Sequence, residues 1–146
     1  MKLSVLTSVI VFNLELVCVL QAADVKQYGA VGDGHADDTV AIQHAVAEGG
    51  QVTFSAGTYR ISKTIRVQLD KTGYTSLQGS GTAKVVMTGA GPAFHFLGTN
   101  DAKESLVKTR DQIWDRERMP SLDGLSIQGG HVNADGIKAE GTVQFT

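Results

Sequence analysis

Hydrophobic and polar positions along this chain fall into three regimes, each predicting a different element. From Leu3 to Leu20 the apolar residues run almost unbroken: Leu3, Val5, Leu6, Val9, Ile10, Val11, Phe12, Leu14, Leu16, Val17, Val19 and Leu20. Lys2 precedes this run and the small residues Ala22 and Ala23 follow it. That order predicts an export signal over 1–23, cleaved near Ala22 or Ala23, and hence a secreted or periplasmic product. Glu15 departs from the pattern, because an acid in an apolar core costs roughly 2.5–3.5 kcal/mol on insertion scales. A buried N-terminal helix is the alternative. The uncharged run is well short of the ~20 residues a membrane span requires, so no stable membrane anchor is expected.

The second regime, 24–50, is an extended lead-in, a turn and a helix. Gly29, Gly32 and Gly34 supply the turn around Asp33. From Thr39 to Ala47 the period is helical, with Ala41, Ile42, Ala45 and Val46 on one face and Gly49-Gly50 as the stop. Asp37 or Asp38 is placed to accept hydrogen bonds from the helix's first N–H groups, and Asp33, Asp37, Asp38 and Thr39 together read as turn and cap residues. A helix with a single apolar stripe suits a lid on a flat core.

The third regime, 51–146, has period two. Val52 and Phe54, Tyr59 and Ile61, and Ile65 and Val67 alternate with polar neighbours, and similar pieces recur at 75–77, 84–87, 93–96, 122–127, 136–139 and 143–145. Glycines punctuate them, yet no Asn-Gly or Asp-Gly link joins adjacent strands as a tight hairpin would require. An all-β parallel β-helix of about four or five coils, capped by the helix, accounts for short strands and corner glycines together. The mixed-charge stretch 99–119 reads as an excursion from a coil, with a helical turn around Asp111 to Arg118. It is either a solvated loop holding Ile113 and Trp114 on the barrel wall or a substrate contact through Arg110 and Trp114. A guanidinium pairs with carboxylates, and an indole offers a flat face to a sugar ring.

Composition narrows the partners. The 146 residues suffice for one domain, and a net charge of −2 supplies no field to draw nucleic acid. The one cysteine, Cys18, lies in the apolar segment, so a cleaved product has no disulfide and depends on stacking for stability. Bulky Leu16 and Val17 before it disfavour lipid attachment there.

Two stretches carry a resemblance. Tyr-Gly-Ala-Val-Gly-Asp-Gly at 28–34 with Asp-Asp-Thr-Val-Ala-Ile-Gln at 37–43, and Val-Thr-Phe-Ser-Ala-Gly-Thr-Tyr-Arg-Ile at 52–61, are similar to the N-terminal signature of the rhamnogalacturonase and epimerase-like pectate lyase superfamily. The resemblance implies a single-stranded right-handed parallel β-helix whose N-terminal segment closes one end. It also implies a secreted carbohydrate-active protein acting on an acidic polysaccharide. A non-catalytic polysaccharide-binding or structural β-helix is the alternative, as is an inactive truncated fragment. Calcium enters by family analogy only; the acidic residues at 33–38 lack EF-hand spacing, and no metal site is expected.

In that family the chemistry stands on the outer faces of middle coils. A lyase needs a base for the proton α to the uronate carboxylate and a cation for the enolate charge. A hydrolase needs two carboxylates flanking the glycosidic bond. Asn133-Ala134-Asp135-Gly136-Ile137-Lys138 resembles the Asn-Thr-Asp-Gly segment of polygalacturonases, which makes Asp135 the candidate acid and Lys138 a candidate substrate contact. His131 and Glu140 lie close in sequence. Ala134 departs from that motif and its companion segments are missing, so whether the chain is itself an enzyme is left open, and Asn133 and Asp135 can equally be corner residues before a strand. Val143 and Phe145 alternate as an inward pair with no gatekeeper after them, so self-association through an uncapped last coil is expected.

Overall fold

The computed structural model describes residues 22–100, 115, 117, 119–142 and 144–146. Of the export signal expected over 1–23, only Ala22 and Ala23 lie among them. The first circuit of the chain is β1 (Ala23–Asp24), a 3-10 helix (Val25–Tyr28), β2 (Asp33–Asp37) and α1 (Thr39–Ala47). The second is β3 (Gly50–Phe54), β4 (Gly57–Ile61), β5 (Ile65–Gln68) and the short α2 (Leu69–Thr72). The third is β6 (Thr75–Met87) and β7 (Gly91–Leu97), the fourth β8 (Ser121–Gly129) and β9 (Ala134–Glu140).

All pairings among these strands are parallel, and they build three walls. Val52 pairs with Leu77 and Leu77 with Leu122, stacking β3 on the first halves of β6 and β8. Tyr59, Val85 and Ile127 stack β4 on their second halves. Ile65, Phe94 and Ile137 stack β5, β7 and β9. Each strand lies about 4.8 Å from the next, so a residue type suited to the interior repeats at the same height in every wall. β6 serves two walls because it bends near Gly79–Gly81, and β8 bends beside it at Gly124. A Cβ on Gly79 would sit 2.2 Å from the Gly124 carbonyl oxygen, so the corner closes only with glycine there.

Inward positions are shut away from water. Phe54, Tyr59, Ile61, Ile65, Val67, Leu77, Val85, Met87, Phe94 and Phe96 are all buried, each contributing about 1.5–3 kcal/mol of burial. Phe54 meets Tyr59 and Phe94 edge-on, at 5.5 and 6.2 Å between ring centroids, joining the walls across the interior. α1 stands where the third wall would otherwise continue past β5. Ile42, Ala45 and Val46 are fully buried. The Gln43 side chain completes the edge: its Nε2 donates to the Arg66 carbonyl at 2.9 Å, and the Arg66 N–H donates to its Oε1 at 2.9 Å. A side-chain amide thus takes the place of the next strand's peptide group, leaving no orphaned donor or acceptor at Arg66.

Four local readings change. Residues 33–37, expected as a turn, form β2, which pairs with β4 in a shifted register, Asp33 with Thr58 and Asp37 with Arg60. The glycines do not prevent pairing because the bulge absorbs them, with Gly32 and Gly34 at φ 70° and 79°. The pieces at 75–77 and 84–87 are one bent strand. α2 arises where alternation lapses, with Leu69 buried beneath it. The described residues of 143–145 are not a strand: Gln144 has φ 54°, and Val143 lies outside the described residues. Phe145 instead turns onto Phe96 at 4.9 Å, and Thr146 exchanges hydrogen bonds with Pro120 and Leu122. The fourth circuit is less covered than the others, with Leu122, Leu125 and Ile127 half-buried and Ile137 41% exposed. No helix among the described residues is long and apolar enough to cross a membrane.

Candidate functional site

The acidic residues near α1 are occupied with the backbone. Asp38 is 2% exposed, and its carboxylate accepts from the N–H of Val31 at 2.7 Å and of Gly32 at 3.1 Å. It therefore ties the preceding loop down and makes no side-chain bond to the helix it precedes. Asp37 takes the helix end, accepting from the N–H of Thr39 at 3.1 Å and from the hydroxyls of Thr39 and Ser62, both at 2.5 Å. Partial desolvation pushes the Asp37 carboxyl up, but those hydroxyl and N–H donors outweigh it and hold the group at about 2. Thr39 Oγ1 also accepts from the Ser62 N–H at 2.9 Å. Asp33 accepts from the N–H groups of Ala36 and His35, which lower its carboxyl below the usual range.

The outward face of the third wall differs in kind. Between the buried pairs Ile65/Val67 and Phe94/Phe96, and beside Ile137/Ala139, stand Arg66, His95 and Lys138, one from each strand in direct register. They form a column of nitrogen donors at about one per 4.8 Å. Glu140, two residues beyond Lys138 on the same face, reaches back into it. Its Oε1 lies 2.8 Å from Lys138 Nζ and its Oε2 lies 2.7 Å from His95 Nε2. The lysine hydrogen bond, followed by that of the histidine, holds the Glu140 carboxyl below its ordinary value. Beside it lies a depression of about 280 Å³ lined by Gly98, Thr99, Asn100, Glu140 and Gly141. Its floor is bare backbone: a Cβ on Gly98 would stand 2.1 Å from the Gly141 carbonyl oxygen.

Thr99 and Asn100, on the rim of this depression, open the stretch 99–119, of which 101–114, 116 and 118 lie outside the described residues. Glu117, 5% exposed, accepts from the Thr99 N–H at 2.8 Å and from Thr99 Oγ1 at 2.9 Å, which ties Glu117 to the end of the segment after β7. Arg110 and Trp114, the expected substrate contacts, lie outside the described residues. Asp135 and Lys138 both lie on β9, but only Lys138 has partners in the cluster. Asp135 is exposed and makes no side-chain hydrogen bond among the described residues. At a strand rise of about 3.3 Å per residue, Asp135 and Glu140 stand roughly 16 Å apart. A glycosidase's carboxyl pair is held about 5–9.5 Å apart, so these two do not make one. Asp33 and Asp37 stand on β2, which extends the second wall past β4, and Asp38 and Thr39 lie at the start of α1, away from this column. No three His, Cys, Asp or Glu side chains among the described residues gather as a metal site.

Sequence reasoning missed Arg66 and His95 because their link to Lys138 is a matter of register. The alternation around each was legible, but the length of chain between β7 and β9 hides which residue faces which.

Several known proteins resemble the chain. Mannuronan C5-epimerase AlgE3 of Azotobacter vinelandii is 52% identical over 44 residues, covering 27% of this chain and 2% of that protein. Among solved structures, ORF18 of Geobacillus virus E2 superposes with a TM-score of 0.60 at 27% identity, over 81% of this chain and 22% of that one. PfbA, a surface adhesin of Streptococcus pneumoniae, does so with a TM-score of 0.50 at 27% identity, over 73% and 24%. The chain thus spans 7% or less of the length of the curated relatives it matches and about a quarter of the structures. Residues 22–138 match the family described as rhamnogalacturonase A/epimerase, pectate lyase-like, and with its parallel three-walled stacking the chain belongs to that family.

Proposed function

We propose that this chain is part of a secreted, right-handed parallel β-helix that binds an acidic polysaccharide along the outer face of its third wall. The observation that carries the reading is the register-matched column Arg66–His95–Lys138. A polyuronate presents one carboxylate per sugar ring, and a column of donors repeating at the strand spacing can meet successive carboxylates as the polymer runs across the strands. Arg66 offers a bidentate fork and Lys138 a mobile point charge, so orientation falls mainly to the arginine. The bare glycine floor beside Glu140 leaves room for a ring, with Thr99 and Asn100 as hydroxyl partners. Right-handed crossovers are what parallel strands of one sheet adopt in about 98% of cases. The name of the Azotobacter relative supports mannuronan or a similar uronate polymer as ligand, and the pneumococcal adhesin supports an extracellular setting.

Binding is favoured over cleavage within these coils because the one carboxylate that joins the column among the described residues, Glu140, is already engaged by Lys138 and His95. The test is isothermal titration of the full chain with polymannuronate and with a neutral β-glucan at low salt. Binding of the first alone, weakened about three- to tenfold in Arg66→Ala and again in Lys138→Ala, is expected from losing one charge-assisted contact. Equal affinity for the neutral polymer, or no effect of either substitution, would remove the column as the site.

A further inference from the structure

We infer that Glu140 is a built-in stand-in for a ligand carboxylate, which an arriving polyuronate must displace; this rests on the binding reading above. With Glu140 in place the column is already partly neutralised: its two oxygens are shared between Lys138 at 2.8 Å and His95 at 2.7 Å. That is how a uronate carboxylate would be held, with one oxygen on the lysine ammonium and one on the histidine ring nitrogen. Arg66, the remaining member of the column, has no carboxylate partner among the described residues.

Two features make the contact displaceable. The Glu140 side chain is 49% exposed and Lys138 53% exposed, so the pair is screened by solvent and weakly held. The depression lined by Gly98, Thr99, Asn100 and Gly141 adjoins Glu140, which gives the carboxylate a place to move without disturbing β9. Its backbone stays fixed, because the Glu140 carbonyl accepts from the Gly98 N–H at 2.8 Å. Competition of this kind favours ligands with several closely spaced carboxylates, which gain contacts along the column while replacing one. A ligand with a single charge merely exchanges one carboxylate for another.

The experiment compares the full chain with Glu140→Gln, Lys138→Ala and the double variant, titrated with polymannuronate and with monomeric mannuronate. Glu48→Gln is the control for net charge, an exposed acid at the end of α1. The glutamine keeps the shape and removes the competing charge, so Glu140→Gln should bind polymannuronate about threefold tighter, the scale of one exposed ion pair. The gain should be larger for the monomer. It should fall below about twofold in the Lys138→Ala background, since coupled residues are non-additive. If the wild type binds and Glu140→Gln is no tighter, or weaker, Glu140 is a ligand contact and the inference fails while the binding reading stands. The same gain in Glu48→Gln would reduce it to net charge and overturn it as well. Absence of polymannuronate binding in every variant, with folding verified by circular dichroism, would overturn both readings together.

Discussion

Asp38 and Glu140 are both acidic residues beside a glycine-rich turn, and their surroundings put them to opposite uses. Asp38 is buried and meets only backbone N–H groups, at Val31 and Gly32. Glu140 is exposed and meets only the basic side chains of Lys138 and His95 among the described residues. Backbone donors belong to the fold and cannot leave, so a carboxylate bound to them is part of the architecture. Side-chain cations on a solvated face can exchange partners, so a carboxylate bound to them marks where another anion can sit. The exchangeable acid of this molecule is therefore the one that meets basic side chains on a solvated face.

The strongest way to break that contrast is at the capped end. Ile42→Asp places an unpaired charge in a fully buried site of α1 and should cost about 3–5 kcal/mol, seen as a large drop in the urea midpoint. An unchanged midpoint would show that α1 does not close the core. Asp38→Ala leaves the N–H groups of Val31 and Gly32 without their charged acceptor and should cost about 2–3 kcal/mol. Glu140→Ala, by contrast, should change stability by less than about 0.5 kcal/mol. Equal losses in the two variants would erase the distinction between them.

What the sequence made legible follows the same division. The helix at 39–47 was readable because Ile42, Ala45 and Val46 repeat at helical spacing, and most strands were readable because their inward residues alternate with polar ones. Such signals are local. β2 was hidden by the glycines around Asp33, whose turn chemistry is real but is absorbed in a bulge against β4. α2 carries too few residues for a period. At the candidate site Lys138 was singled out from its own segment, whereas Arg66 and His95 were not. The column depends on the register between β7 and β9, which are far apart in sequence, and no local pattern records it. Asp135 was singled out by a motif, but the contacts that would give it work are not among those described.

A smaller effect concerns pH. Asp37 is held at about 2 against an ordinary 3.8, so its depressed value stabilises the fold above about pH 4, and that contribution is lost as pH falls through about 2. Because the group is largely solvent-exposed, screening reduces the contribution to about 1 kcal/mol. Asp37→Asn should lower stability at pH 6 by that amount and flatten the acid limb of the urea midpoint between pH 4 and 2. A variant whose acid limb matches the wild type would show that the Ser62 and Thr39 hydroxyls are not worth more to the carboxylate than water.

The smallest effect is expected at Asp135, which sharpens the comparison by supplying a third kind of acid, one with no side-chain partner among the described residues. It lies on β9 yet is exposed and makes no side-chain hydrogen bond among the described residues, so replacing its carboxylate breaks no contact described there. Asp135→Asn should leave the urea midpoint within about 0.5 kcal/mol. Polymannuronate affinity should stay within about twofold, because the nearest cation of the column, Lys138, is three residues away, roughly 10 Å along the strand and about one Debye length at 0.1 M salt. Titration of this variant beside Glu140→Gln at matched ionic strength is the decisive pairing, since both remove one negative charge from the same strand. If affinity rises equally in the two, the column responds to charge on β9 in general. If it falls in Asp135→Asn alone, Asp135 touches the ligand, and binding extends beyond the face of β9 that carries Lys138 and Glu140.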